Sequence, residues 1–139
     1  MPMRVKLETA KIRSDRIKKV EEISCQNVYK CYQCGKCSAA CPATPEMDML
    51  PSQVIRYLQL GLDDRVFEAN TPWICASCLQ CMSVCPKGVD LARIMEAIRT
   101  LQLRRGENRI EMRTMSKEYL EKAPQIALIS GCRKFLSLS

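Results

Sequence analysis

The chain has 139 residues, 22 Lys and Arg against 15 Asp and Glu, ten Cys and no His. That length suits one domain with extensions. No run nears the ~20 apolar residues of a membrane span; the longest purely aliphatic stretch is Ile126-Ala-Leu-Ile129, so a soluble, cytoplasmic chain without a direct membrane span is expected.

From the N-terminus, Ser14 or Asp15 starts a helix that places Ile17, Val20 and Ile23 on one side and leads to Cys25. Cys25 reads as a small buried residue of that helix. Cys31-Tyr-Gln-Cys34-Gly-Lys-Cys37-Ser-Ala-Ala-Cys41-Pro42 follows. The connector, residues 47–71, reads helical: Pro51 suits a first turn, Val54, Ile55 and Leu58 recur at helical spacing, and Gly61 suits a C-cap. Asp63 or Asp64 caps a second short helix through Ala69, which Thr71-Pro72 breaks. Cys75-Ala-Ser-Cys78-Leu-Gln-Cys81-Met-Ser-Val-Cys85-Pro86 comes next. Asp90 then caps a helix whose Leu91, Ile94, Met95, Ile98 and Leu101 share one face and which ends near Gly106. A last helical stretch, residues 111–122, is stopped at Pro124. No period-two alternation runs beyond a few residues, so the predicted fold class is mainly α.

Eight of the ten cysteines fall into two copies of C-x2-C-x2-C-x3-C-P, the spacing that holds a [4Fe–4S] cubane by four thiolates. Cysteines three residues apart reach adjacent iron corners while backbone N–H groups between them face the sulfurs. Pro42 and Pro86 have no N–H and turn the chain away after the fourth cysteine. That fourth ligand can serve a different cluster from the first three, as in two-cluster ferredoxins. Structural zinc sites instead set two C-x2-C pairs well apart, often with histidine. A disulfide framework is disfavoured because C-x2-C closes tiny strained rings and no signal peptide precedes the motifs. With one Trp and two Phe, the centre of the fold should draw much of its core from the clusters, linking metal binding to folding.

The formal charge of +7 counts the cysteines as neutral. Eight thiolates and two oxidised cubane cores of about +2 each bring it to about +3. Lys and Arg cluster in residues 4–19 and 99–113, outside the motifs, with few aromatics among them to stack bases. Nucleic acid is therefore not an expected partner.

Two such motifs joined by a helical connector resemble the α-helical ferredoxin domain. The finer pattern is similar to the C subunit of heterodisulfide reductase: Cys31-Tyr-Gln-Cys-Gly-Lys-Cys37, Leu50-Pro-Ser-Gln-Val-Ile-Arg56 with Gln59-Leu-Gly61, Trp73-Ile-Cys75-Ala-Ser-Cys78 and Cys85-Pro-Lys-Gly-Val-Asp90. The resemblance covers about residues 21–105. It implies a single α-helical ferredoxin-like domain over residues 1–139, with a cluster-binding core there and helical, partner-binding extensions at both ends. It also implies two [4Fe–4S] clusters, one on Cys31, Cys34, Cys37 and Cys85, the other on Cys75, Cys78, Cys81 and Cys41. The C subunit of that family relays electrons between a flavin- and cluster-bearing A subunit and a catalytic B subunit, which reduces the coenzyme M–coenzyme B heterodisulfide. None of the eight ligands acts as a catalytic acid, base or nucleophile. Gly131-Cys132 is all this chain has of the C-C-G repeats of catalytic subunits, so it does not house that chemistry. An iron–sulfur subunit of a flavoprotein dehydrogenase, a free ferredoxin-like carrier and a zinc-stabilised binding module are the alternatives.

Cys132 reads as an inert thiol in a partner interface. Lys36 and Lys87, beside cysteine ligands, have two readings: cations that raise a cluster potential electrostatically or, the favoured one, solvated side chains of little effect. Met47, Met49, Met82 and Met95 read as gap fillers around the clusters. Residues 1–19 and 125–139 read as partner-binding segments, because Val5, Leu7, Ile126, Leu128, Phe135 and Leu136 exceed what a small domain buries alone.

Overall fold

The computed structural model describes residues 6–137. It contains α1 (Asp15–Ser24), α2 (Lys36–Ala40), α3 (Pro51–Gln59), α4 (Asp63–Glu68), α5 (Thr71–Ile74), α6 (Gln80–Ser83), α7 (Leu91–Leu103), α8 (Lys117–Lys122) and α9 (Gln125–Phe135), with short 3-10 turns between them. Among the described residues there is no strand, and the fold is mainly α. Packing divides the chain into two compact units, Met1–Ile98 and Arg99–Ser139, the boundary falling within α7. Residues 1–5, including Val5, and residues 138–139 lie outside the described residues.

The first unit is built on amphipathic turns. The Ser14 hydroxyl caps α1 by accepting from the Ile17 N–H at 3.4 Å, and Ile17 and Val20 are fully buried. Cys25 departs from its expected place: it is exposed, at φ +52°, in the left-handed position that closes α1. The buried small residue is Ser24, whose hydroxyl donates to the Val20 carbonyl at 2.6 Å. A residue at the left-handed cap points out of the helical face that periodicity assigns it.

Pro51 opens α3, whose Val54, Ile55 and Leu58 are buried. Gln53 Oε1 accepts the Leu50 N–H at 3.0 Å. The helix closes on paired bonds from the Gly61 N–H to the Leu58 carbonyl (3.2 Å) and from the Leu62 N–H to the Tyr57 carbonyl (2.9 Å), the pairing that a left-handed glycine permits. Asp63 and Asp64 sit inside the first turn of α4 and do not cap it; Arg16 Nη1 pairs with them at 3.3 and 2.7 Å. Thr71-Pro72 separates two helices, as a breaker would, but it also begins α5, where a first-turn proline loses no bond. Asp90 Oδ1 accepts the Arg93 N–H at 3.1 Å and caps α7, which buries Leu91, Ile94, Met95 and Ile98.

In the second unit the Ser116 hydroxyl caps α8 by accepting from the Tyr119 N–H at 3.2 Å. Pro124 stops that helix, yet it is also the N-cap of α9, so a further helix of eleven residues follows the expected end of helical structure. Proline ends one helix and pre-sets φ for the next, and a stop signal alone hides the second role. Arg109 N–H donates to the Phe135 carbonyl at 2.9 Å and Ser137 N–H to Asn108 Oδ1 at 2.7 Å, tying the end of α9 to residues 108–109.

Candidate metal centre

The two cysteine motifs fold alike. In each, the residue before the second cysteine and the residue after it are left-handed: Gln33 (φ +64°) and Gly35 (φ +78°) in the first, Ser77 (φ +55°) and Leu79 (φ +62°) in the second. Alternation of ordinary and left-handed residues turns successive backbone N–H groups inward, a concavity suited to anionic sulfur. A short helix follows in both motifs, α2 or α6, and then the fourth cysteine and its proline. α2 packs against α6. This contact brings the end of each motif across to the start of the other.

Two hollows result. One is lined by Cys31, Cys34, Cys37 and Cys85, with Gly35, Ser52, Ile55, Val89 and Leu91 completing its wall. The other is lined by Cys75, Cys78, Cys81 and Cys41, with Pro42, Ala43, Ala76, Leu79, Gln80 and Ala92. They are similar in size, about 350 and 330 Å³ with the open rim included. Each joins three cysteines of one motif to the fourth of the other, and no cysteine lines both. Among the described residues no three Cys, Asp or Glu side chains gather on a point that would hold a single metal ion. Four cysteines at each hollow match the ligand count of one cubane apiece.

The surrounding donors fit a cubane. Gln33 donates to Cys31 Sγ twice, from its backbone N–H and from its side-chain amide, both at 3.4 Å. The Val89 N–H donates to Cys85 Sγ at 3.3 Å. Such bonds favour the thiolate and the anionic cluster. In the iron-free chain the thiols start protonated where they are least hydrated. Burial, reinforced by the charge of nearby Cys75, pushes Cys81 up to about 11, and burial raises Cys37 against an opposing bond from Ser38. Iron must therefore displace protons there as the site loads.

Long-range polar contacts hold the motif loops in place. Gln59 at the end of α3 donates its amide to the carbonyls of Val28 and Cys31, each at 2.8 Å. Gln26 Oε1 accepts the Asp90 N–H at 3.0 Å, joining the approach to the first motif to the exit from the second. The Ser38 hydroxyl bonds to the Ser52 hydroxyl and accepts the Ser52 N–H, both at 2.9 Å, fixing α2 on α3. Asp48 accepts from the Asn70 N–H (2.8 Å), the Thr71 N–H (3.0 Å) and the Thr71 hydroxyl (2.7 Å), which anchors α5 and the second motif to the connector. Partial burial raises the Asp48 carboxyl, but those donated bonds outweigh it and hold the group below its usual range. Gln59, Ser38, Ser52, Thr71 and Asp90 lie in stretches that the sequence pattern marks, whereas Gln26 and Asp48 leave no such signal.

Comparison with known proteins points to the same class of cofactor. Residues 27–89 match the family described as a 4Fe-4S dicluster domain. The chain is 36% identical over 86 residues to the iron–sulfur C subunit of the CoB–CoM heterodisulfide reductase of Methanopyrus kandleri, covering 62% of this chain and 45% of that protein. It is 34% identical over 83 residues to a protein of Archaeoglobus profundus described as like the heterodisulfide reductase C subunit, covering 59% and 44%. With the C subunit of the ferredoxin:CoB-CoM heterodisulfide reductase of Methanosarcina mazei it shares 26% over 121 residues, 87% of this chain and 74% of the relative. The chain thus spans less than half the length of the first two relatives. The mainly α chain is thus similar over residues 27–89 to a 4Fe-4S dicluster domain, and to the C subunit of heterodisulfide reductase, and its cofactors are two [4Fe–4S] clusters.

Proposed function

We propose that this iron–sulfur electron-transfer subunit relays electrons, in the cytoplasm, within a complex like heterodisulfide reductase. Its partners there are an A subunit that bears flavin and iron–sulfur clusters and a catalytic B subunit that reduces a disulfide. Cys31, Cys34, Cys37 and Cys85 hold one cluster; Cys75, Cys78, Cys81 and Cys41 hold the other. A bound [4Fe–4S] cluster supplies reversible one-electron storage. The protein's own part is to supply eight thiolates, exclude water with Ile55, Val89 and Leu91 on one side and Ala43, Ala76 and Ala92 on the other, and aim N–H donors at the sulfurs. The observation that carries the reading is the pair of four-cysteine hollows, each drawing on both motifs.

Paired serine substitutions in the anaerobically reconstituted full chain test the grouping, read as intact [4Fe–4S] clusters by Mössbauer spectroscopy. Cys31→Ser with Cys85→Ser damages one site and should leave one intact cluster. Cys31→Ser with Cys41→Ser damages both and should leave none. The reverse outcome means that each motif ligates its own cluster. The reading as part of a complex is tested by co-purification of the tagged chain: a partner that bears flavin and clusters and another that reduces disulfides are expected, and a lone soluble carrier would refute it.

A further inference from the structure

The two hollows share one template but differ in the residues set into it. The first is written by Cys31-Tyr32-Gln33-Cys34-Gly35-Lys36-Cys37 with Cys85-Pro86-Lys87, the second by Cys75-Ala76-Ser77-Cys78-Leu79-Gln80-Cys81 with Cys41-Pro42-Ala43. At four matched positions the first carries a stronger donor or a cation: Tyr32 against Ala76, Gln33 against Ser77, Lys36 against Gln80 and Lys87 against Ala43. Two of these have a contact at the first hollow. The Gln33 amide reaches Cys31 Sγ at 3.4 Å. Lys87 Nζ lies 5.9 Å from the ring centre of Tyr32, which is next to Cys31. Around the second hollow Ala43, Ala76 and Leu79 carry neither a side-chain donor nor a cation.

We infer that the cluster held by Cys31, Cys34, Cys37 and Cys85 has the higher reduction potential, with Gln33 and Lys87 setting the difference, so that the first electron entering the chain rests there. The inference rests on the ligand grouping proposed above. Reduction adds one negative charge to a cluster that is already anionic with its thiolates. Donors and cations beside it stabilise the reduced form, and both hollows have apolar walls, so the difference lies in those donors and cations. One electron from dithionite takes one cluster core from 2+ to 1+ as the donor loses one electron, with no bond made or broken in the protein. The exposed lysines act through water and are screened by salt; the Gln33 bond is direct.

A potentiometric titration of the reconstituted full chain, followed by EPR and visible absorbance with iron measured in every sample, tests this. The parent chain should show two resolved one-electron steps. Gln33→Leu, which removes the amide donor at similar size, and Lys87→Ala, at an exposed site, should each lower the upper step and leave the lower one in place. Ala43→Lys should raise the lower step alone. Full iron with a single unresolved step, or with neither Gln33→Leu nor Lys87→Ala shifting the upper step, overturns the inference and leaves the grouping standing. If Gln33→Leu moves one step and Lys87→Ala the other, Cys31 and Cys85 serve different clusters and the grouping itself fails.

Discussion

Gly35 and Gly61 have nearly the same backbone conformation, φ +78° and +72°, but differ in what surrounds them. A Cβ on Gly35 would meet nothing within 4 Å, and Leu79 already occupies the matching left-handed position of the second motif. Gly35→Ala should therefore cost only the backbone preference, about 1 kcal/mol, and keep both clusters. A Cβ on Gly61 would lie 2.6 Å from the backbone carbon and oxygen of Lys11, which no side-chain rotation relieves. Gly61→Ala adds overpacking of about 1–3 kcal/mol to the same strain, so its anaerobic unfolding midpoint should fall clearly below that of Gly35→Ala. Equal midpoints would mean that residues 11–12 do not lie against Gly61. Asp48 makes a second contrast. Held below the usual carboxylate range, it is fully ionised at neutral pH, where the stability from its depressed pKa is present; that stability would be lost only as pH fell through the folded value. The side chain is exposed, so solvent screening keeps the effect small. Asp48→Ala should cost about 1 kcal/mol, as loss of a helix cap does.

At the scale of elements, α3 both packs and grips. Val54, Ile55 and Leu58 bury its inner face, while Gln59 at its end satisfies two carbonyls on the approach to Cys31. Gln59→Leu leaves both carbonyls without that donor, at about 1–3 kcal/mol for each that stays dry. It should speed iron loss from one cluster of the holo-chain under chelator challenge while the other persists; equal loss from both would show that Gln59 does not act locally. α1, α3 and α7 were legible in the sequence because Ile17, Val20, Val54, Leu58, Ile94 and Ile98 repeat at helical spacing. The cysteine spacing likewise announced two clusters. What periodicity does not carry is the exit of Cys25 from its helix at a left-handed residue, the double role of Pro72 and Pro124, and the anchors from Asp48, Gln26 and Ser52. Each of these depends on a partner far along the chain or on a single backbone angle. α2 and α6 are each about one turn long, too short for any hydrophobic period to show.

At the scale of the whole molecule, all eight motif cysteines lie in the unit Met1–Ile98, and Cys132 is the one cysteine of the unit Arg99–Ser139. In that second unit Cys132 is half-buried with its Sγ 3.6 Å from Met112 Sδ. α8 and α9 leave Tyr119, Ile126 and Ile129 exposed at 54%, 74% and 55%, more apolar surface than two short helices need for their own packing. Among the described residues no helix is long and apolar enough to cross a membrane, so these side chains do not mark a membrane-spanning helix. We propose that a partner protein covers them, as in a complex of the kind proposed above. Removing residues 111–139 keeps α7 whole and touches none of the motif cysteines. The shortened chain should still bind about eight iron and eight sulfide, by the two-cubane stoichiometry, while co-purification with its partners weakens several-fold. Replacing Ile126 and Ile129 together by Ser in the full chain should weaken capture in the same direction without loss of helix by circular dichroism. Loss of iron with the complex intact would instead make α8 and α9 part of what holds the clusters.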